Sequence, residues 1–221
     1  MTVKYQILAI FLITVIAYLF LNSDDIIGPY PIKIITLKGQ FVHADEDSLH
    51  NSFQSFIGED LVDIDIIDIK NNVKKNDWVK NALVERQFPN TLFIEIFEYT
   101  PIIFWNGHSY IDDEGIKFKV KNNTLTDLPQ IYSNTKNYKK MYDLYLDLSK
   151  MLEKIDLKIY SISHDRDMLN ISTNKYDFLV RYSEYYIKID EFIHVYEQFR
   201  NQYKKNIKTI DLRYPTGFAV H

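Results

Sequence analysis

Residues Tyr5 to Leu21 read YQILAIFLITVIAYLFL, a run without a single charge in which only Gln6 and Thr14 are polar. As a helix this stretch spans about 26 Å, short for a hydrocarbon core of about 30 Å but workable when flanking residues reach the interface. Tyr5 and Tyr18 fall where interfacial aromatics sit. Lys4 lies on one side and Asp24 and Asp25 on the other, so the positive-inside bias places residues 1–4 in the cytoplasm and everything after Asn22 outside. A cleaved signal peptide would want a small residue where Leu21 stands, ahead of Asn22-Ser23. A buried core helix of this length would carry a polar stripe, and none is visible. The expectation is a single uncleaved transmembrane helix, 5–21. The cytoplasmic tail is too short to hold a cytoplasmic partner.

Beyond the anchor the chain alternates strand-like and helix-like patterns. Gly28-Pro29-Tyr30-Pro31 closes a short linker, 22–31. Ile32 to Lys38 is β-branched and stops at Gly39. Asp45 is a suitable N-cap, and Leu49, Phe53, Phe56 and Ile57 then share a helical face that ends at Gly58. Ile66, Ile69 and Val73 suggest a second short helix. Trp78–Phe88 and Leu92–Tyr99 read as strands around a Pro89-Asn90-Thr91 turn, with Leu92, Ile94 and Ile96 facing one way and Phe93, Glu95 and Phe97 the other. This β-α-α-β-β unit is large enough to fold by itself.

The remainder begins with Ile102–Trp105 and Ser109–Asp112 around Asn106-Gly107, a strong hairpin signal. A helix over Tyr138–Leu152 carries Met141, Tyr145, Leu148 and Leu152 on one face. Strands follow at Ile159–His164, Leu169–Thr173 and Phe178–Tyr182, then a helix over Tyr186–Lys204 with Phe192, Val195, Tyr196, Phe199 and Tyr203 at helical spacing. Lys208–Leu212 and Gly217–His221 close the chain in extended form.

Catalytic chemistry finds no foothold. The six histidines never pair at helical spacing with a third ligand nearby, and cysteine is absent, so zinc is not expected. Ser163-His164-Asp165 contains triad residue types, but strand neighbours point to opposite faces and cannot form the hydrogen-bonded chain among themselves. After Gly115 the next glycine is Gly217, leaving no phosphate loop there. Asp60, Asp63, Asp65 and Asp68 lack the spaced ligands and glycine turn of a calcium loop and read as solvated caps. With a net charge of −4 and no block of Lys and Arg, nucleic acid is not an expected partner either.

One set of residues goes beyond periodicity. Asp77-Trp78-Val79, Val84-Glu85-Arg86-Gln87-Phe88-Pro89-Asn90-Thr91-Leu92, Ile94, Ile96, Glu98-Tyr99, Pro101 and Trp105 form the first motif. Tyr110-Ile111-Asp112-Asp113-Glu114-Gly115 follows, and Ile210-Asp211-Leu212-Arg213-Tyr214-Pro215-Thr216-Gly217-Phe218-Ala219-Val220 stands near the end. In combination these resemble the FtsQ/DivIB family of cell-division proteins. The resemblance implies an α+β chain: an N-terminal transmembrane helix, a β-α-α-β-β POTRA domain over 32–100, and a mixed β domain with two helices over 101–221. It also implies a non-enzymatic scaffold without cofactor or small-molecule substrate, held in the cell inner membrane at the division septum with its two domains periplasmic. The implied partners are divisome membrane proteins resembling FtsB and FtsL.

In the family that partner contact runs along the last strand, here Tyr214 to Val220, so the role falls on Tyr214, Thr216, Gly217, Phe218, Ala219 and Val220. Arg166 adds a salt-bridge contact. An edge strand offers unpaired N–H and C=O groups, glycine permits close backbone approach, and Arg and Tyr are common hot-spot types. Three departures stand out. Phe88 replaces the family's Trp, keeping an aromatic in the core. Tyr182-Ser183 occupies the place of a family Gly. The chain stops at His221, where the family continues to a Trp, so part of the contact is absent or falls to Phe218. Two other classes compete. A POTRA-containing factor for outer-membrane protein assembly or secretion would need a series of ten-residue alternating strands. An anchored wall hydrolase or transferase would need a catalytic constellation.

Overall fold

Alternation along Leu92–Phe97 builds the strand on which the first folded unit rests, and the flanking helices take the buried side. A computed structural model describes residues 2–21, 29–121, 125–202 and 207–221; the chain divides into two units, 1–98 and 99–221. Most of the linker (22–28, with Asp24 and Asp25) and the helix end at Tyr203 and Lys204 lie outside the described residues.

Helix α1 spans Thr2–Leu21, and its described side chains are exposed. The expected membrane span is nevertheless not supported as such, because among the described residues no helix is long and apolar enough to cross a membrane.

The rest of the first unit is a three-stranded sheet carrying two helices. Strand β1 (Ile34–Lys38) runs parallel to β3 (Thr91–Glu98), and β2 (Val79–Gln87) runs antiparallel to β3 on its other side. A parallel pair needs a crossover, supplied here by α2 (Glu46–Ser52) and α3 (Ile66–Val73). Asp45 and Asp65 cap these helices, accepting from the Ser48 and Ile67 N–H groups. Leu49, Phe53, Ile69 and Val73 on the helix side and Leu92, Ile94 and Ile96 on β3 are all buried. The helix expected to continue to Ile57 breaks after Ser52 into a 3₁₀ turn, Gln54–Phe56, leaving Ile57 exposed. Its end is claimed by another element: the Asn72 side-chain amide donates to the Ser52 carbonyl at 2.8 Å.

The first motif is spent on holding this unit together. Arg86 donates to the carbonyls of Leu61 and Ile64, both at 2.7 Å, and so fixes the loop between α2 and α3. Glu98 accepts the backbone N–H groups of Val42, His43 and Ala44 at 3.0–3.2 Å. Trp78 stacks on His43 at 4.3 Å between ring centroids. Phe88 departs from expectation. It is 58 % exposed rather than in the core, because it sits in the β2–β3 turn, where Tyr30 lies edge-on at 5.2 Å.

The second unit is a mixed nine-stranded sheet. In chain order its strands are β4 (Pro101–Trp105), β5 (Ser109–Asp112), β6 (Lys117–Phe118), β7 (Gln130–Ser133), β8 (Ile159–Asp165), β9 (Met168–Thr173), β10 (Asp177–Arg181), β11 (Thr209–Asp211) and β12 (Ala219–Val220). In space they run β12-β11-β10-β9-β8-β7-β4-β5-β6. Asn106 and Gly107 both take positive φ (49° and 73°) to close the β4–β5 hairpin, which explains their residue types. Sequence periodicity did not predict β6 or β7. Helices α4 (Tyr138–Glu153) and α5 (Tyr185–Gln202) bury Met141, Leu144, Leu148, Phe192, Tyr196 and Phe199 in one core with the strands. Tyr145, expected among these, is only half-buried.

Tyr185 on α5 donates its hydroxyl to Asp147 on α4 at 3.0 Å. Burial, and then that carboxylate, push its phenol up to about 12 from an ordinary value of 10.0. A raised acid pKa stabilises the folded state fully below the unfolded value, and the gain is lost as pH climbs through the folded one. The stability advantage of the native chain over Tyr185→Phe should therefore hold at neutral pH and shrink between pH 10 and about 12. Thermal melts across that window check it, and a constant difference would contradict the assignment.

Candidate protein-docking edge

The end of the chain closes the sheet. Strand β11 lies parallel to β10 (Phe178 opposite Ile210), and β12 returns antiparallel to β11 with Ala219 opposite Asp211 and Val220 opposite Ile210. Thr209 and His221 exchange both backbone hydrogen bonds, each 3.0 Å. In an antiparallel ladder the neighbouring pair, Ile210 and Val220, is then the non-bonded one. The N–H and C=O of Val220 consequently point away from the sheet, as do those of Phe218 by alternation. Among the described residues, no strand lies on that side of β12.

The regular strand is shorter than the expected Tyr214–Val220: only Ala219 and Val220 are strand, and Tyr214–Gly217 form a bend. Two cationic side chains hold that bend. Lys188, buried on α5, donates to the Pro215 carbonyl and the Glu191 carboxylate, each at 3.0 Å. Arg213 grips the buried Asp211 through two guanidinium nitrogens, with Nε at 2.8 Å. That hydrogen-bonded guanidinium holds the Asp211 carboxyl below the usual carboxylate range and raises the arginine in turn. Lys188 was not singled out from sequence, yet a signal was present. It stands four residues before Phe192 on the apolar stripe of α5, where a charge needs a buried partner.

The candidate residues separate by position. Tyr214 and Thr216 are exposed, and Gly217 is exposed at φ +75°. Among the described residues, chain neighbours aside, nothing lies within 4 Å of a Cβ built at Gly217, so the left-handed backbone, not a close approach, explains this glycine. Gly217→Ala should cost about 1 kcal/mol, lowering Tm by about 4 °C in thermal unfolding, with no steric term added. Phe218 turns inward, edge-on to Phe192 at 5.4 Å and Phe199 at 5.8 Å. That packing seats β12 on α5 and leaves Phe218 half-buried. Val220 also packs on the core. Arg166 occupies the β8–β9 turn with φ +56°. Three strand spacings, about 14 Å, separate β9 from β12, so Arg166 and the free edge are distinct places on one end of the sheet.

Ser163, His164 and Asp165 lie in succession along β8 and form no chain with one another. His164 instead meets Ser133 on β7, Nδ1 to Oγ at 2.8 Å, and its ring leans on Tyr182 at 5.0 Å. The buried Ser133 hydroxyl also accepts the Thr135 N–H at 3.1 Å. This is a local turn with a histidine partner. At Tyr182-Ser183, where a glycine was expected, Asp167 accepts both backbone N–H groups through its carbonyl and carboxylate, so β10 passes into α5 without a left-handed residue. Among the described residues, no group of three or more His, Asp or Glu could hold a metal ion.

Comparison with known proteins adds the context for this edge. Residues 30–99 match the POTRA domain, FtsQ-type, and residues 103–213 match the family model for the cell division protein FtsQ/DivIB, C-terminal. The chain is 24 % identical to the cell division protein FtsQ of Alcanivorax borkumensis over 95 % of its own length and 82 % of that protein. It is 26 % identical to the FtsQ of Haemophilus influenzae over 86 % of its length and 77 % of that protein. For the FtsQ of Cellvibrio japonicus the identity is 25 %, covering 86 % of this chain and 60 % of that protein. The C-terminal match alone takes in half of the 221 residues, and the chain belongs to the FtsQ/DivIB family of cell division proteins.

Proposed function

We propose that this protein is a non-enzymatic scaffold of the division machinery that captures a partner by strand addition to β12. The observation that carries the reading is the outward aim of the Val220 N–H and C=O at a sheet edge, an arrangement that an incoming extended segment satisfies. The partners are membrane proteins of the FtsB and FtsL kind. Tyr214, Thr216, Gly217, Ala219 and Val220 line the contact, and Phe218 supports it from beneath. A partner reaches Arg166 only by continuing past β11 and β10 across the end of the sheet.

In this reading residues 5–21 anchor the chain in the inner membrane, with 1–4 cytoplasmic, 22–31 a linker, and the POTRA domain (32–100) and β domain (101–221) periplasmic at the septum. A helix of 20 residues is about 30 Å long, its exposed apolar side chains suit lipid, and no charge interrupts 5–21.

A photo-crosslinker at Tyr214, half exposed and beside the free edge, should capture a small coiled-coil membrane protein in dividing cells. Depletion should give filaments with unfinished septa. Cells of normal length after depletion, or crosslinks confined to unrelated proteins, would sink the proposal.

A further inference from the structure

We propose that the end of the POTRA unit bearing Tyr30 and Phe88 rests in the lipid interface of the membrane that holds α1. Phe88 projects from the β2–β3 turn with 58 % of its surface exposed and, among the described residues, only Tyr30 as an aromatic neighbour. Around this pair lie further exposed apolar groups. The Lys33 N–H donates to the Asn90 carbonyl, bringing the start of β1, with Ile34 (52 % exposed), beside the turn. The Leu61 N–H donates to the Tyr30 carbonyl, bringing in Val62 (49 % exposed). Large apolar side chains gathered at one end of a domain mark a contact surface rather than scattered exposure.

The chain itself names the occupant. Tyr30 follows Leu21, the last residue of α1, by nine residues, so this end cannot stand more than about 30 Å from the helix end in any conformation. Aromatic side chains with a polar rim belong at the headgroup level. The charges at this end choose the lipid. Asp60 is committed to the N–H groups of Tyr30 (3.1 Å) and Val62 (2.8 Å), while Lys33, Glu59 and Asp63 are all exposed. That balance favours a zwitterionic surface over an anionic one.

The proposal rests on the anchor reading, and one experiment separates the two. The full chain carrying Phe88→Trp, or Val42→Trp as a control, is placed in phosphatidylcholine vesicles with brominated acyl chains. Val42 is 72 % exposed and bonded to Glu98 at the far end of β3, about 24 Å from Thr91. The native Trp78 and Trp105 are buried and give a common background. The expected result is a blue shift and bromine quenching from the Trp introduced at position 88 and neither from that at position 42. Chain that floats with the vesicles but shows no quenching at 88 overturns this inference and leaves the anchor standing. Equal quenching at both positions also overturns it, since no one end is then selected. Chain that fails to float overturns the anchor reading and this inference together.

Discussion

Val220→Pro is expected to abolish partner capture while barely changing the melting temperature. Proline removes one backbone donor, and at Val220 that donor points out of the sheet, because Thr209 and His221 take the neighbouring bonded position. The folded protein therefore loses no ladder bond. The preceding Ala219 is already extended, the region that proline favours for its neighbour. An incoming strand, however, meets a missing N–H and a ring in its path. A partner carbonyl left buried and unpaired costs about 1–3 kcal/mol, so affinity should fall by roughly ten- to a hundredfold before the steric term is added. Ala219→Pro is the matched control. Its N–H faces β11, so it should destabilise the edge itself and lower Tm. Pulldown of an FtsB-like partner alongside thermal unfolding separates the two. Capture undiminished by Val220→Pro would place the interface elsewhere.

Replacing Phe218 by a charged residue is a poorer probe than the sequence suggested. Read as part of a strand at the end of the chain, Phe218 was expected to face the partner. Alternation puts it and Val220 on one face, and that face is covered by α5 through Phe192 and Phe199. A carboxylate there would unseat β12 and lose capture through misfolding. Nothing local distinguishes the two faces of a short strand; the decision is made by a helix whose aromatic stripe lies 19 or more residues earlier. The same limit hid the partner of Lys188, the Pro215 carbonyl, which belongs to a distant loop.

Elements with a long period were legible, and short or context-made ones were not. Alternation marked β3, and the apolar stripes marked α4 and α5, because burial of one face repeats over several turns or pleats. Strand β6 has two residues, too few to show any period. Strand β7 has four, QIYS, and is fixed by parallel neighbours on both sides, β4 and β8, which are remote in sequence. Phe88 departs from expectation for a related reason: an aromatic within a motif reads as core, but its place in a turn leaves it outside.

Arg86→Met should give the largest loss of stability, confined to the POTRA unit. The guanidinium joins the Leu61 and Ile64 carbonyls to β2. Methionine retains much of the stem's packing but leaves both acceptors unpaired, at about 1–3 kcal/mol each when shielded from water. Since the site is half-buried, a total near 3 kcal/mol is the sensible figure, equivalent to a fall in Tm of about 15 °C for a unit of this size. Arg86→Lys should fall between, because a single ammonium cannot reproduce the forked pair of bonds. Calorimetry of the full chain in detergent micelles, following the unit-1 transition, tests both. A Tm within a few degrees of the native value for Arg86→Met would show that water replaces the guanidinium freely. Glu98→Ala should act in the same direction by freeing three N–H groups at once. Together the two substitutions separate recognition from function. The motif residues that made the family legible in the first unit are those on which its loops hang, whereas the groups proposed to meet a partner at β12 are backbone atoms, which carry no signature in the sequence.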